Sequence, residues 1–120
     1  MPSTRYQKIN AHHYRHIWVV GDIHGEYQLL QSRLHQLSFF PEIDLLISVG
    51  DNIDRGPESL DVLRLLNQPW FTSVKGNHEA MALEAFETGD GNMWLASGGD
   101  WFFAVSYTHL RAHETLRYLV

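Results

Sequence analysis

Three short glycine-flanked motifs hold the residues best suited to polar chemistry in this 120-residue chain: GDIHG at 21–25, GDNIDRG at 50–56 and KGNHE at 75–79. They contribute Asp22, His24, Asp51, Asp54, Arg55, Asn77 and His78. Carboxylates brought together are costly unless something offsets their charge, and a divalent cation does so directly. Asp22 and His24 differ by two positions, so in an extended segment both side chains point to one side and can hold one ion. Asp51 can bridge to a second ion, to which Asn77 offers a neutral amide oxygen. This is the donor set of a two-metal hydrolytic site with ions about 3.5–4 Å apart. The chain has no cysteine, which excludes thiolate ligands, disulfides and cysteine nucleophiles. Mixed nitrogen and oxygen donors suit Mn, Fe or Zn rather than Ca.

Each residue taken alone has a plainer use. Asp22 or Asp51 can cap a helix, Asn77 can sit in a turn beside Gly76, and His78 and Arg55 can be surface groups. The elements around the motifs decide between these uses. Three apolar runs, Ile17–Val20, Leu45–Val49 and Trp70–Val74, have the length and composition of buried strands. Between them Leu30, Leu34 and Leu37 recur at helical spacing, as do Leu60, Leu63 and Leu66, with Pro57 where a first helical turn tolerates it. A further helix is predicted from about Glu79 to Glu87, stopping near Gly89. The alternation predicts an α/β fold built from βαβ units with a mostly parallel sheet, whose sites form at the carboxyl ends of the strands. All three motifs follow a predicted strand. Asp22 to Asp51 is 29 positions and Asp51 to Asn77 is 26, each about one unit of roughly 30 residues. The motifs are therefore expected to converge on one sheet edge, which no single plainer use explains.

Bulk properties narrow the class. Apolar residues make up 44% and charged residues 19%, as in ordinary globular domains, and the length suits one domain. A net charge of −5 gives no basic field for nucleic acid or an anionic membrane surface. There is no apolar run of signal-peptide or membrane-spanning length, so a cytoplasmic location is expected.

In this order and spacing the motifs resemble the phosphoprotein phosphatase family of metallophosphoesterases, most closely its small bacterial serine/threonine protein phosphatases. DLLISVGDNIDRGPESL (44–60) and GGDW (98–101) strengthen the likeness, which covers roughly residues 6 to 105. The resemblance implies the N-terminal part of a calcineurin-like β-sandwich flanked by helices over residues 1–105. It implies that Asp22, His24 and Asp51 hold one metal ion, while Asp51 and Asn77 begin the site of a second, most often Mn2+. A hydroxide activated by the two ions would attack phosphorus in line, with no phosphoenzyme. His78 would protonate the leaving alkoxide, Asp54 would orient its imidazole, and Arg55 would grip phosphate oxygens. The implied substrate is a phosphoprotein carrying phosphoserine or phosphothreonine, with phosphotyrosine as an extension. The related symmetrical dinucleoside tetraphosphate hydrolases tend to carry Ala and Asp where this chain has Asp54 and Glu79, which favours the protein phosphatases.

The family pattern also includes two further histidine ligands and a second phosphate-binding arginine downstream of residue 105. Here only His109 and His113 follow, in SYTHLRAHETLRYLV (106–120), which looks unlike the family and reads as an atypical, artefactual tail. The chain is therefore expected to be the N-terminal half of a longer protein. A metal-binding fragment without turnover, or a fragment that does not fold, are the competing readings. His12, His13 and His16 precede the first strand, away from its carboxyl end, and His35 is expected to be solvated. MWLASGGDWFF (93–103) is expected mainly to cover the core, with a possible contact to the cleft.

Overall fold

The computed structural model describes residues 6–104, so the tail at 106–120, with His109 and His113, lies outside the described residues. Strands β1 (Ile17–Val20), β2 (Leu45–Ser48) and β3 (Phe71–Ser73) form a parallel sheet in that order. Ile17 pairs with Leu45 and Leu46 with Phe71, so the three strands end at nearly the same level. Helix α1 (Tyr27–Gln36) joins β1 to β2. Helix α2 (Ser59–Arg64), tightening into a 3-10 turn at Leu65–Asn67, joins β2 to β3. Helix α3 (Asn77–Thr88) follows β3 and ends on Gly89, whose left-handed backbone (φ 80°) places its N–H on the Ala85 carbonyl. A short helix α4 (Asn92–Trp94), a turn kinked at Gly98 (Leu95–Gly99) and α5 (Trp101–Ala104) complete the described chain.

The α/β class and its parallel sheet agree with the reading of the sequence, and three details correct it. First, β1 is an edge strand among the described residues rather than a buried one. Trp18 and Val20 pack against the core formed by Ile23, Leu30, Leu34, Leu46, Val62, Leu65 and Phe71. On the opposite sheet face Val19 is 66% exposed, and Ile17, Val49 and Val74 are also exposed. Each fully buried Leu of that core is worth about 1.5–3 kcal/mol, so one covered face suffices to anchor the sheet. Second, β2 and β3 are shorter at their ends than the apolar runs. Third, α3 begins two residues before Glu79. The Glu79 carboxylate turns back to accept the Gly76 N–H at 2.9 Å, which starts the helix at Asn77 and places Asn77 and His78 in its first turn.

A second apolar cluster of Ile53, Leu63, Ala82, Leu83, Trp94 and Phe102 seats α3, α4 and α5 beside α2. At the amino end of β2, buried Asp44 accepts Arg15 Nε at 3.1 Å and Nη2 at 2.8 Å, together with the backbone N–H groups of His16 (3.1 Å) and Phe40 (2.9 Å). The Arg15 hydrogen bonds, helped by those of Phe40 and His16, outweigh desolvation and hold the Asp44 carboxyl below its ordinary value. No helix among the described residues is long and apolar enough to cross a membrane.

Candidate metal centre and proton donor

At the carboxyl edge of the sheet the loops after β1 and β2 are laced together by backbone. His24 N–H donates to Asp51 O (3.0 Å), Gly25 N–H to Asn52 O (2.8 Å) and Gly56 N–H to His24 O (2.9 Å). The lacing brings one ligand atom each of Asp22, His24 and Asp51 within 4.8 Å of one another. His24 Nδ1 lies 3.0 Å from the Ile53 carbonyl. A carbonyl only accepts, so Nδ1 carries the proton and the lone pair sits on Nε2, which lies 3.8 Å from Asp22 Oδ2. An imidazole whose far nitrogen is held by a carbonyl is the usual arrangement of a metal-binding histidine. Two carboxylates and this imidazole, with no Lys or Arg paired to either carboxylate among the described residues, fit a divalent cation with nitrogen and oxygen preferences.

Asp51 does two jobs. Its Oδ1 accepts the His78 N–H at 2.9 Å, one of the unpaired donors at the start of α3, so the capping use considered above is real. Asp22 caps nothing, because the residue preceding α1 is Glu26. Gly76 lies directly against Asp51, where a Cβ would collide with its backbone nitrogen. Asn77 is exposed at the first position of α3, between Gly76 and His78, both of which touch Asp51.

Two residues behind the candidate ligands were not singled out as site residues from the sequence. Glu79, fully buried, accepts the N–H groups of Asp51 (2.7 Å), Asn52 (2.7 Å) and Gly76 with its two oxygens. Asn52 accepts the Ser48 hydroxyl and donates to Ser73 Oγ at 2.9 Å, linking the loop to the ends of β2 and β3. The available signal was polarity inside the motifs themselves.

His78 is buried beside the candidate metal ligands, its ring 4.7 Å from that of His24 and nearly perpendicular to it. Its Nδ1 donates to Asp54 Oδ2 at 2.8 Å, which leaves Nε2 as the exchangeable position. Asp54 is fully buried; its backbone N–H donates to Ser59 Oγ at 2.8 Å, and its carboxylate also receives the indole N–H groups of Trp94 and Trp101. Arg55 is exposed, and its backbone N–H reaches Gly98 O at 3.3 Å. Of the five non-glycine residues with positive φ among the described residues, four belong to this edge: His24 (44°), Asp51 (57°), Asp54 (76°) and Arg55 (77°). Such backbones cost about 1–3 kcal/mol each and concentrate where geometry serves chemistry. His12, His13 and His16 precede β1, whose carboxyl end carries this edge.

Residues 15–118 match the family model of the calcineurin-like phosphoesterases. The chain is 99% identical over 103 residues to serine/threonine-protein phosphatase 2 of Escherichia coli K12, covering 86% of this chain and 47% of that protein. It is 66% identical over 106 residues to serine/threonine-protein phosphatase 2 of Salmonella typhimurium, covering 88% and 49%. The chain thus spans about half the length of the curated relatives it matches. A crystal structure provisionally assigned as a diadenosine tetraphosphatase superposes with a TM-score of 0.67 at 30% identity, over 86% of this chain and 42% of that one.

Proposed function

Because the chain belongs to the calcineurin-like phosphoesterase family, we propose that its site is the N-terminal portion of a metal-dependent phosphomonoesterase acting on phosphoserine and phosphothreonine in proteins, located in the cytoplasm. The observation that carries this reading is the meeting of Asp22, His24 and Asp51 within 4.8 Å, beside a buried His78–Asp54 pair. Asp22, His24 Nε2 and Asp51 would hold one divalent cation, and Asp51 with the Asn77 amide oxygen would contribute to a second. Mn2+ is the expected metal, with Fe or Zn as alternatives. Such ions lower the pKa of water and neutralise negative charge on a phosphoryl group.

The chain's own residues then have separable tasks. In-line displacement at phosphorus expels an alkoxide that must gain a proton. His78 can deliver it from Nε2, because Nδ1 is held by Asp54 and cannot rotate into its place. The Arg55 guanidinium, exposed at the rim, can take two phosphate oxygens in its planar fork. No protein nucleophile is needed.

The test is manganese-dependent hydrolysis of p-nitrophenyl phosphate and of a phosphoserine peptide by the 120-residue chain, with His78→Asn expected to lose about 10²–10⁴-fold in kcat. The likeness to the diadenosine tetraphosphatase structure supports a second reading, phosphoanhydride cleavage. Faster turnover of diadenosine tetraphosphate than of the phosphopeptide would favour it. Manganese binding without turnover of any substrate would favour a metal-binding fragment.

A further inference from the structure

Both oxygens of Asp54 are claimed from one side by the segment after α3. Trp94 Nε1 lies 2.8 Å from Oδ2 and 3.0 Å from Oδ1, and Trp101 Nε1 lies 2.7 Å from Oδ1. With His78 Nδ1 on Oδ2, three N–H donors and, among the described residues, no acceptor side chain converge on one fully buried carboxylate. An indole donates only through Nε1, so each ring has a single productive orientation here. The two rings also stand perpendicular, with centroids 6.2 Å apart, so moving one displaces the other.

The backbone between the two tryptophans is built for this meeting. Trp94 and Trp101 are joined through Leu95–Gly99, where two helical segments meet at a kink on Gly98. Gly98 carries φ 108°, and a Cβ there would meet the Arg55 backbone nitrogen at 2.9 Å. A Cβ on Gly99 would meet the Trp94 indole at 2.5 Å. A side chain at Gly98 would push the turn off the Arg55 backbone, and one at Gly99 would displace the Trp94 indole. A segment that only covered the core would not need two indole donors on one buried carboxylate.

We propose that Trp94 and Trp101 are positioning residues for the Asp54–His78 pair, locking the Asp54 carboxylate so that it aims the His78 imidazole at the leaving oxygen. The functional half of this proposal rests on the reading of His78 as the proton donor. The hydrogen bonds themselves can be tested without turnover. In the full 120-residue chain loaded with magnesium, ¹⁵N spectra should show the Trp94 and Trp101 indole N–H signals well downfield of an exposed indole, each assigned by its loss in Trp94→Phe or Trp101→Phe. In Asp54→Asn both should move, while the signal of Trp18, whose buried Nε1 has no partner among the described residues, should not. Indole signals at exposed-indole positions, or signals that stay put in Asp54→Asn, would overturn the proposal.

The second arm reads positioning. With manganese and p-nitrophenyl phosphate, Trp94→Phe and Trp101→Phe should each lower kcat roughly tenfold with KM unchanged. Added to Asp54→Asn, neither should cost more than about twofold further, because the tryptophans act through Asp54. A full tenfold further loss on the Asp54→Asn background would assign them a packing role instead and sink the idea. Trp101 is only half-buried, so Trp101→Phe carries the test if Trp94→Phe does not fold. Absence of turnover in the wild-type chain would count against the proposed function, and the indole signals would then decide the hydrogen-bonding claim alone.

Discussion

Asp44 and Asp51 flank the same short strand, β2, one at its amino end and one in the loop beyond its carboxyl end. Asp44 is buried and saturated: the Arg15 guanidinium and two backbone N–H groups take its oxygens, and its charge is matched within the chain. Asp51 sits on a left-handed backbone, gives one oxygen to the start of α3, and faces Asp22 and His24 with no Arg or Lys paired to it among the described residues. The first arrangement stabilises the fold by itself. Under the proposed function the second would be completed by a cation supplied from outside, making Asp51 a ligand rather than a brace. The two ends of one strand thus divide stability from chemistry.

The sharpest way to break that division is Asp51→Asn. Manganese-dependent phosphatase activity should fall by about 10³-fold or more, since several kcal/mol of charge stabilisation depend on this ligand. Steady-state kinetics with calorimetric manganese titration checks it, and near-normal activity would end the contrast. Glu79→Gln should come next. With only one good acceptor oxygen left for the three N–H groups that shape the Asp51 loop, metal affinity should weaken about 10–100-fold, read in the same titration.

Manganese itself should separate the two ends. At about a hundred times its dissociation constant it should stabilise the wild-type chain by roughly 2.7 kcal/mol in urea denaturation. Asp44→Asn should keep that increment, and Asp51→Asn should lose it. The Asp44→Asn variant should melt a few degrees below wild type at pH 7. The folded Asp44 carboxyl is held below its ordinary value, so its contribution is fully present above the unfolded value near 3.9 and is lost as pH falls through the lowered folded value. The gap between the two melting curves should therefore close in strong acid. The smallest effect is expected from Arg15→Lys, which keeps the charge and loses the second donor of the fork; its melting point should fall between those of wild type and Asp44→Asn.

Much of this division was readable from the residues alone because it is local. Apolar runs of strand length and glycine-flanked polar motifs placed Asp22, His24 and Asp51 at one sheet edge, and the structure brings them together there. What escaped depends on distant partners. Trp94 and Trp101 meet Asp54 across 40 and 47 positions, and no window of sequence carries that information. The pairing of Asp44 with Arg15 was not anticipated because the two lie 29 positions apart. The start of α3 was misjudged by two residues because Glu79 reads as an ordinary helix residue until its carboxylate is seen turned back on Gly76. The exposed face of β1 was missed because an apolar strand has the same composition whether one face or both are covered.

The left-handed backbones at His24, Asp51, Asp54 and Arg55 have a consequence for how such a chain changes over generations. Glycine adopts that conformation without steric cost, so glycine would relieve backbone strain at each of these four positions, but at Asp51 and Asp54 it would also strip the hydrogen bonds their carboxylates accept. Mutation under pressure for durability alone would act first at Arg55, the exposed one of the four. Their persistence would record continuing selection for the reaction, and a descendant that kept the sheet but carried glycine at these positions would be a scaffold that had retired from chemistry.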